Sequence, residues 1–191
     1  MLKIYSIKIQ ELTRAEYIKE YTLLSYTQRK KIAIKSYADK CRSLAALILL
    51  RTAIKENFQI ENYEITYNEN GKPLLPFCHF CIAHSDDLVI VAISDNPVGV
   101  DVERIREIKK RNDYKLFSFN EVKYVNSSPV GIALRFFEIW TKKEAYIKLN
   151  GLKLSDAAKF DIFKLSEVIF KSEISEDYYT TICIKNDPIS K

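Results

Sequence analysis

Residues 98–103 read VGVDVE, a strand pattern that carries two acids. Successive side chains of a strand point to opposite faces. Val98, Val100 and Val102 therefore face a core, whereas Asp101 and Glu103 share the other face. Two neighbouring carboxylates repel each other unless a cation lies between them, so the pair would suit a divalent ion such as Mg²⁺. Acids also alternate with valine on ordinary sheet surfaces, and the stretch alone leaves a metal role open.

A helix predicted over residues 132–149 adds a third acid. At about 100° per residue its apolar side chains form one stripe, made of Phe136, Phe137, Trp140 and Ile147. Glu144 falls inside this stripe, where a carboxylate is costly unless it is paired or bound to a metal. The alternative is a surface pair of Glu144 with Lys148 at i,i+4, which contributes little to stability.

Three acids on two elements, with lysines nearby, indicate a site for Mg²⁺ and a substrate that carries phosphate. Mg²⁺ takes few carboxylates in proteins and completes its shell with water and phosphate oxygens. Lys148 lies close to the face of Glu144, and Lys143 flanks the other edge of the stripe. His84 ends an apolar run before a polar turn and could contact an anion, although a single histidine is more often structural.

The remaining pattern predicts a mixture of sheet and helix. Strands are predicted over residues 2–9, 63–67, 80–83, 88–94, 98–102 and 178–184, and helices over residues 28–58, 113–125 and 132–149. Each half of the chain mixes the two, and no Gly/Ser-rich linker separates them. We therefore expect an α+β fold of two lobes, residues 1–97 and 98–191, with an extensive interface.

Composition excludes several classes of protein. The net charge of +5, from 30 Lys+Arg and 25 Asp+Glu, suits an anionic ligand or an acidic partner but not a nucleic-acid binder. We expect a cytoplasmic protein, because neither a secretory leader nor a membrane-spanning apolar run is visible. Cys78 and Cys81 have CxxC spacing, but Cys41 and Cys183 are isolated, so buried structural cysteines are favoured over a zinc or redox site.

Six segments resemble, in order, the signature of the Sfp-type 4′-phosphopantetheinyl transferase family. They read CRSL at 41–44, GKP at 71–73, HS at 84–85, GVDVE at 99–103, FS at 117–118 with Glu121, and WTKKEAYIK at 140–148. The resemblance runs from about residue 25 to residue 155. A GxDxE motif alone is common, but GxDxE followed some distance later by WxxKEAxxK is specific.

The resemblance implies two pseudo-symmetric α+β lobes with coenzyme A between them. It implies that a cytoplasmic monomer moves 4′-phosphopantetheine from coenzyme A to a serine of an apo acyl or peptidyl carrier protein and releases 3′,5′-ADP. The serine would attack the β-phosphorus, with Mg²⁺ held by Asp101, Glu103 and Glu144. Glu144, directly or through a metal-bound water, is also the implied base, and Lys148 would stabilise charge on the phosphate oxygens.

The resemblance also implies residues that bind coenzyme A. Arg42 and His84 would contact the 3′-phosphate, with Arg29 and Lys31 as weaker candidates. Lys72 and Pro73 would lie along the adenine, and Lys143 and Lys148 near the pyrophosphate. The carrier protein would dock after Glu103, through Lys115, Phe117 and their neighbours.

Two departures from the family pattern and two rival functions remain. Ala83 precedes His84 where the family usually has serine, so one hydroxyl for the phosphate is missing, and residues 151–154 read GLKL where a Gly-x-Gly-Leu loop is usual. One rival is a metal-dependent nuclease built on Asp101 with residues 107–109, which leaves Glu144 unexplained. The other is a non-catalytic relative that binds coenzyme A or the carrier protein.

Overall fold

The computed structural model describes residues 1–108 and 114–186. Its strands are β1 (Leu2–Lys8), β2 (Thr66–Tyr67), β3 (Pro73–Leu74), β4 (His79–Ser85), β5 (Leu88–Ser94), β6 (Val98–Arg104), β7 (Val168–Ser175) and β8 (Tyr178–Lys185). Its α-helices are α1 (Arg14–Leu23), α2 (Tyr26–Ala33), α3 (Tyr37–Phe58), α4 (Phe119–Val125) and α5 (Ile132–Asn150), and short 3₁₀ helices lie at Ile9–Glu11, Leu154–Lys159 and Ile162–Lys164. The α+β class is confirmed.

The first sheet has the strand order β1-β5-β4, and both pairs are antiparallel. Strands β4 and β5 form a hairpin whose turn contains Asp86 at a φ of 49°. Helix α3 covers one face of the sheet and buries its apolar side, including Leu50 and Ile54, against Val89, Val91 and Ile93. A long α-helix on a three-stranded sheet thus forms the core of this part of the chain.

The second sheet has the order β6-β8-β7, again antiparallel throughout. Helix α5 lies on this sheet so closely that a Cβ on Gly99 would stand 1.9 Å from the carbonyl oxygen of Ala145. Only glycine leaves room for this backbone-to-backbone contact. One helical turn earlier, Thr141 is fully buried and shares a hydrogen bond of 2.7 Å with Thr181 on β8.

Side chains rather than a strand ladder join the two sheets. Strands β4 and β6 belong to different sheets, yet Cys81 on β4 contacts the backbone of Val100 on β6. The Sγ of Cys81 accepts from the Val100 amide at 3.3 Å and faces its carbonyl oxygen at 3.7 Å. All four cysteines are buried, as the sequence predicts, and none forms a disulfide.

Several predicted elements differ in the structure. The helix predicted over residues 28–58 is two helices, because Ser36 caps a new helix by accepting a hydrogen bond from the Asp39 amide. The predicted strand 63–67 is confined to Thr66–Tyr67. Helix α4 begins at Phe119, where Ser118 is the N-cap, and Asp113 lies outside the described residues. Helix α1 was not predicted; its apolar Ile18 and Leu23 are exposed and form no stripe.

The lobe boundaries at 1–97 and 98–191 stay a prediction, although the two sheets divide between Ser94 and Val98. Among the described helices, none has both the length and the apolar character needed to cross a membrane.

We predict that Gly99→Ala destabilises the fold by about 1–3 kcal/mol, because the new methyl group would force the backbones of β6 and α5 apart. Urea unfolding followed by circular dichroism measures this loss. Gly71→Ala is the control: space around its Cβ is open, and only its positive φ of 81° is unfavourable. Because the positive φ alone can cost Gly71→Ala about 1–3 kcal/mol, the close approach at Gly99 would be contradicted by a Gly99→Ala protein as stable as the wild type.

Candidate active site

The contact between β6 and α5 brings the predicted acids to one place. Asp101 is 4% exposed, and its Oδ1 lies 2.6 Å from the Nζ of Lys148 on α5. The same ammonium lies 4.0 Å from the Oε2 of Glu144. Glu103, two residues along β6, is half-buried on the same face as Asp101. The site thus holds three carboxylates, from two elements, against one ammonium.

Burial and mutual repulsion perturb these groups. Burial raises the pKa of Asp101 to about 7, although Lys148 opposes the shift, and the charges of Glu144 and Glu103 add to it. Burial and the charge of Glu103 also raise the pKa of Glu144. Burial opposes the charge of Lys148, but Asp101 and Glu144 outweigh it and raise the lysine pKa. An excess of negative charge therefore remains in a partly dry site, which is the arrangement that a cation relieves.

Asp101 has an oxygen without a partner. Its Oδ2 is buried and accepts no hydrogen bond from any described residue. An unpaired buried carboxylate oxygen is costly, so it commonly marks a place for a ligand or an ion. Within residues 1–108 and 114–186, no three His, Cys, Asp or Glu side chains are placed so that they could hold a metal ion by themselves. The donor set fits a hard cation that takes further ligands from water or substrate.

Glu103 is held by two donors that the sequence did not single out for this role. The hydroxyl of Ser85 on β4 donates to Oε2 at 2.8 Å, and the indole N–H of Trp140 on α5 donates to Oε1 at 3.2 Å. The sequence assigns Trp140 to the apolar stripe and to a motif, and Ser85 to a motif, but it gives neither residue a partner. Their partner became visible when the fold placed β4 and α5 beside β6.

Arg42 and His84 lie together at the hairpin of β4 and β5. Arg42 donates to the carbonyl oxygen of Asp86 at 2.8 Å and to Oδ1 of Asp39 at 2.6 Å, and its buried Nε has no partner among the described residues. Nearby protein atoms remove water from the His84 ring and, together with the charges of Arg42 and Lys148, lower its pKa. His84 is nonetheless exposed enough to meet a ligand. The two residues and Lys148 form a positively charged edge of the site.

Ala83 does not face the same way as His84. It is 2% exposed, between Cys81 and Ser85 on the face of β4 that packs against β6. A hydroxyl at residue 83 would therefore point away from an anion bound at the His84 side chain. The expectation that Ala83 removes a phosphate-binding hydroxyl is wrong for this geometry.

Lys72 and Pro73 line a cavity of about 300 Å³ with Lys148. The Nζ of Lys72 donates to the carbonyl oxygen of Leu149 at 2.7 Å, at the C-terminal end of α5. Burial lowers the pKa of Lys72. The turn at Gly71 and the end of α5 thus come together beside the acid cluster.

Lys143 is not part of this cluster, and its expected place near the pyrophosphate is wrong in this structure. It is fully buried, and its Nζ donates to the carbonyl oxygens of Ala157 and Phe160, both at 2.8 Å. A third contact of 2.9 Å joins it to Oε2 of Glu121, which is also fully buried. These three partners use all three N–H donors, so none is left for a phosphate oxygen.

The reason is that α5 buries more than the single stripe predicted from sequence. The helix buries Ile139, Thr141, Ala145 and Leu149 in addition to Phe136, Phe137 and Ile147 of the predicted stripe. Lys143 lies one turn beyond Ile139 and points towards α4 and the segment at 157–160. Glu144 is on the cleft side, where its side chain is 21% exposed.

Arg29 and Lys31, the weaker candidates, lie on α2. Arg29 donates to the carbonyl oxygen of Thr22 at 2.6 Å, and the ammonium of Lys31 lies 5.3 Å from the centre of the Tyr67 ring. No contact in the described structure joins either side chain to Asp101 or Lys148. Their assignment to the 3′-phosphate stays a prediction.

A second cavity, of about 530 Å³, opens beside Glu103. The apolar part of the cavity wall is formed by Trp140, Phe136 and Leu116. Lys115 is exposed at the edge of the cavity. Phe117 stacks on the Phe136 ring, with 5.0 Å between the ring centres. An elongated, partly apolar group could lie here with one end at the acids. In the nuclease alternative, Lys109 lies outside the described residues.

Comparison with known proteins agrees with this geometry. Residues 97–183, which carry all three acids and Lys148, match the model of the 4′-phosphopantetheinyl transferase superfamily. The chain is 31% identical to the 4′-phosphopantetheinyl transferase psf-1 of Bacillus pumilus, over 95% of this chain and 78% of that protein. It belongs to the 4′-phosphopantetheinyl transferase superfamily.

Two further relatives carry the same description. The transferase gsp of Aneurinibacillus migulanus is 42% identical, over 59% of this chain and 49% of its own length. Sfp of Bacillus subtilis (strain 168) is 30% identical, over 81% of this chain and 72% of its own. The psf-1 match spans nearly the whole chain, so it includes Arg42, Lys72 and His84, which lie before the segment matched by the superfamily model.

We predict that Lys143→Met lowers the free energy of unfolding by about 3–5 kcal/mol, because it leaves the buried Glu121 carboxylate unpaired. The double variant Lys143→Met/Glu121→Gln should recover part of this loss, since it removes the uncompensated charge. Thermal and urea unfolding measure both. A stable Lys143→Met protein that has lost affinity for coenzyme A would instead restore the phosphate-binding role.

Proposed function

We propose that this protein transfers the 4′-phosphopantetheine group of coenzyme A to a serine of an apo acyl or peptidyl carrier protein and releases 3′,5′-ADP. The observation that carries the proposal is the group of Asp101, Glu103, Glu144 and Lys148 at the contact of β6 and α5, in a chain of this superfamily. Relatives that span most of the chain are named as transferases of this kind.

We further propose that Asp101, Glu103 and Glu144 hold Mg²⁺. The unpaired buried Oδ2 of Asp101 and the excess of carboxylates over ammonium support this assignment. When bound, Mg²⁺ would neutralise charge on the pyrophosphate oxygens of coenzyme A. Every other part of the reaction is assigned to protein side chains.

Glu144 and Lys148 are the proposed catalytic residues. The carrier serine oxygen attacks the β-phosphorus, the bond from that phosphorus to the bridging oxygen breaks, and 3′,5′-ADP leaves with the electron pair. Glu144 accepts the serine proton as the general base. The ammonium of Lys148 stabilises charge that develops on the transferring phosphoryl group.

The decisive measurement is intact-mass spectrometry of several purified apo carrier proteins. Each is incubated with this protein, coenzyme A and Mg²⁺, with and without EDTA. We predict a gain of one phosphopantetheine mass that EDTA abolishes and that Glu144→Gln reduces by at least about 100-fold. Failure of every carrier to gain mass, despite binding of coenzyme A in calorimetry, would favour the non-catalytic binder, which should tolerate Glu144→Gln.

Arg42 and His84 are proposed to bind the 3′-phosphate of coenzyme A. Their adjacency at the β4–β5 hairpin, and the exposure of His84, support this role. Lys72 and Pro73 are proposed to lie along the adenine, in the cavity that they share with Lys148.

We predict that His84→Ala weakens coenzyme A binding about 10- to 150-fold, the effect of losing one hydrogen bond to a charged group, but leaves dephospho-coenzyme A binding unchanged. Calorimetry with the two ligands on wild type and variant gives a complete cycle. His79→Ala, at the other end of β4, is the matched control because its side chain is also exposed. Equal losses for both ligands would remove the 3′-phosphate from this place.

The carrier protein is proposed to dock beside the cavity at Glu103, where Lys115 is exposed next to the packed ring of Phe117. The positive charge of Lys115 would attract an acidic carrier protein. We predict that Lys115→Glu raises the KM for an acidic carrier and leaves the KM for coenzyme A unchanged. Lys123→Glu, on an exposed position of α4, is the control; an equal effect there would argue for general charge rather than docking.

We also propose that the enzyme acts as a cytoplasmic monomer. Its four unpaired cysteines suit a reducing compartment. Light scattering of the purified protein would test the monomer, and a dimer mass at low protein concentration would contradict it.

A further inference from the structure

We propose that Ser85 and Trp140 are positioning residues that hold the Glu103 carboxylate in its working orientation. The inference rests on the proposed function, because Glu103 is one of the three acids assigned to Mg²⁺. Both residues act through Glu103 rather than on the reacting atoms.

Each oxygen of Glu103 has one donor, and the two donors come from elements on either side of β6. Ser85 on β4 donates to Oε2 at 2.8 Å, and Trp140 on α5 donates to Oε1 at 3.2 Å. A glutamate side chain has several free torsions, so an unsupported carboxylate would sample many positions. Two donors from separate elements fix it during folding, before any ligand arrives.

The backbone of β6 sets the direction of the Ser85 proton. The amide of Arg104 donates to the Ser85 oxygen at 3.1 Å, which occupies a lone pair of the hydroxyl. The hydrogen of the Ser85 hydroxyl then points at Glu103. Ser85 is 7% exposed, so water competes little for either bond. The residue that follows Glu103 in the chain thus orients the hydroxyl that orients Glu103.

Ser85 therefore serves the acid cluster rather than the phosphate bound near His84. Neighbouring residues of a strand face opposite ways, and Ser85 lies on the buried face with Cys81. The Trp140 ring is fixed as well: it stacks on Phe117, with 6.3 Å between ring centres and 21° between planes. Both donors are rigid for reasons that do not involve a ligand.

The test measures metal binding directly. Wild type, Ser85→Ala and Trp140→Phe are titrated with Mn²⁺ in the presence of coenzyme A, and free Mn²⁺ is followed by electron paramagnetic resonance. Loss of a residue that orients a metal ligand typically weakens binding about 10- to 100-fold, and we expect this in both variants. Trp140→Phe keeps the aromatic stack and removes only the N–H, so it is a second route if Ser85→Ala folds poorly.

Ser94→Ala is the matched control. Ser94 lies on β5 of the same sheet, is 4% exposed, donates to the carbonyl oxygen of Met1 at 3.1 Å and accepts from the Asn96 amide at 3.2 Å. Its loss should cost stability much as the loss of Ser85 does, without weakening Mn²⁺ binding. In transfer assays, Ser85→Ala should need about 10- to 100-fold more Mg²⁺ for half-maximal rate and approach the wild-type rate at saturation.

The outcomes separate the two proposals. Tight Mn²⁺ binding by wild type, with Ser85→Ala and Trp140→Phe no weaker than Ser94→Ala, overturns the positioning role and leaves the proposed function standing. Absence of Mn²⁺ binding by wild type overturns the metal assignment, and the positioning role with it.

Discussion

The contact of β6 with α5, backbone against backbone at Gly99 and Ala145, is the constraint on which the site depends. Two residues beyond this contact on the strand lies Asp101, and one turn beyond it on the helix lies Lys148. Their separation of 2.6 Å follows from the crossing of the two elements. A nearly buried aspartate is tolerable there because the same crossing supplies its counter-charge. Removal of the glycine would disturb the fold and the chemistry together.

The site contains features that destabilise the fold, and these features indicate function. A fold gains nothing from three carboxylates around one ammonium, or from a buried oxygen of Asp101 without a donor. Such violations are expected where a ligand completes the arrangement. The Lys143–Glu121 pair is the opposite case. All three N–H donors of Lys143 have partners, and the pair does not line either cavity of the site. Adjacent residues of one motif, Lys143 and Glu144, thus have different tasks.

The sequence was most informative where side chains alternate along a strand. The alternation in β6 correctly placed the three valines on the face opposite Asp101 and Glu103, although Asp101 is buried as well. It was least informative on α5, where polar Thr141 and Lys143 are buried because partners from distant segments satisfy them. A hydropathy stripe cannot anticipate such partners. Helix α1 was not predicted for a related reason. Its apolar residues Ile18 and Leu23 are exposed, so the segment shows no helical period of buried apolar residues.

The support of Glu103 was also beyond the sequence. Ser85 is eighteen residues from Glu103 and Trp140 is thirty-seven residues away, and only the tertiary arrangement pairs them. The resemblance to the transferase family correctly singled out the motifs that contain both residues. It did not tell which side chains of a motif touch a ligand and which hold other side chains.

The join between the two sheets has a mechanical consequence. Strands β4 and β6 are held by the thiol of Cys81 and the hydroxyl of Ser85 instead of a continuous ladder. No backbone ladder joins these two strands, and His84 lies on β4 while Asp101 lies on β6. A substrate that contacts both β4 and β6 would link the two sheets. Part of its binding free energy would then restrict the motion of one sheet relative to the other. Without substrate, this motion would be larger.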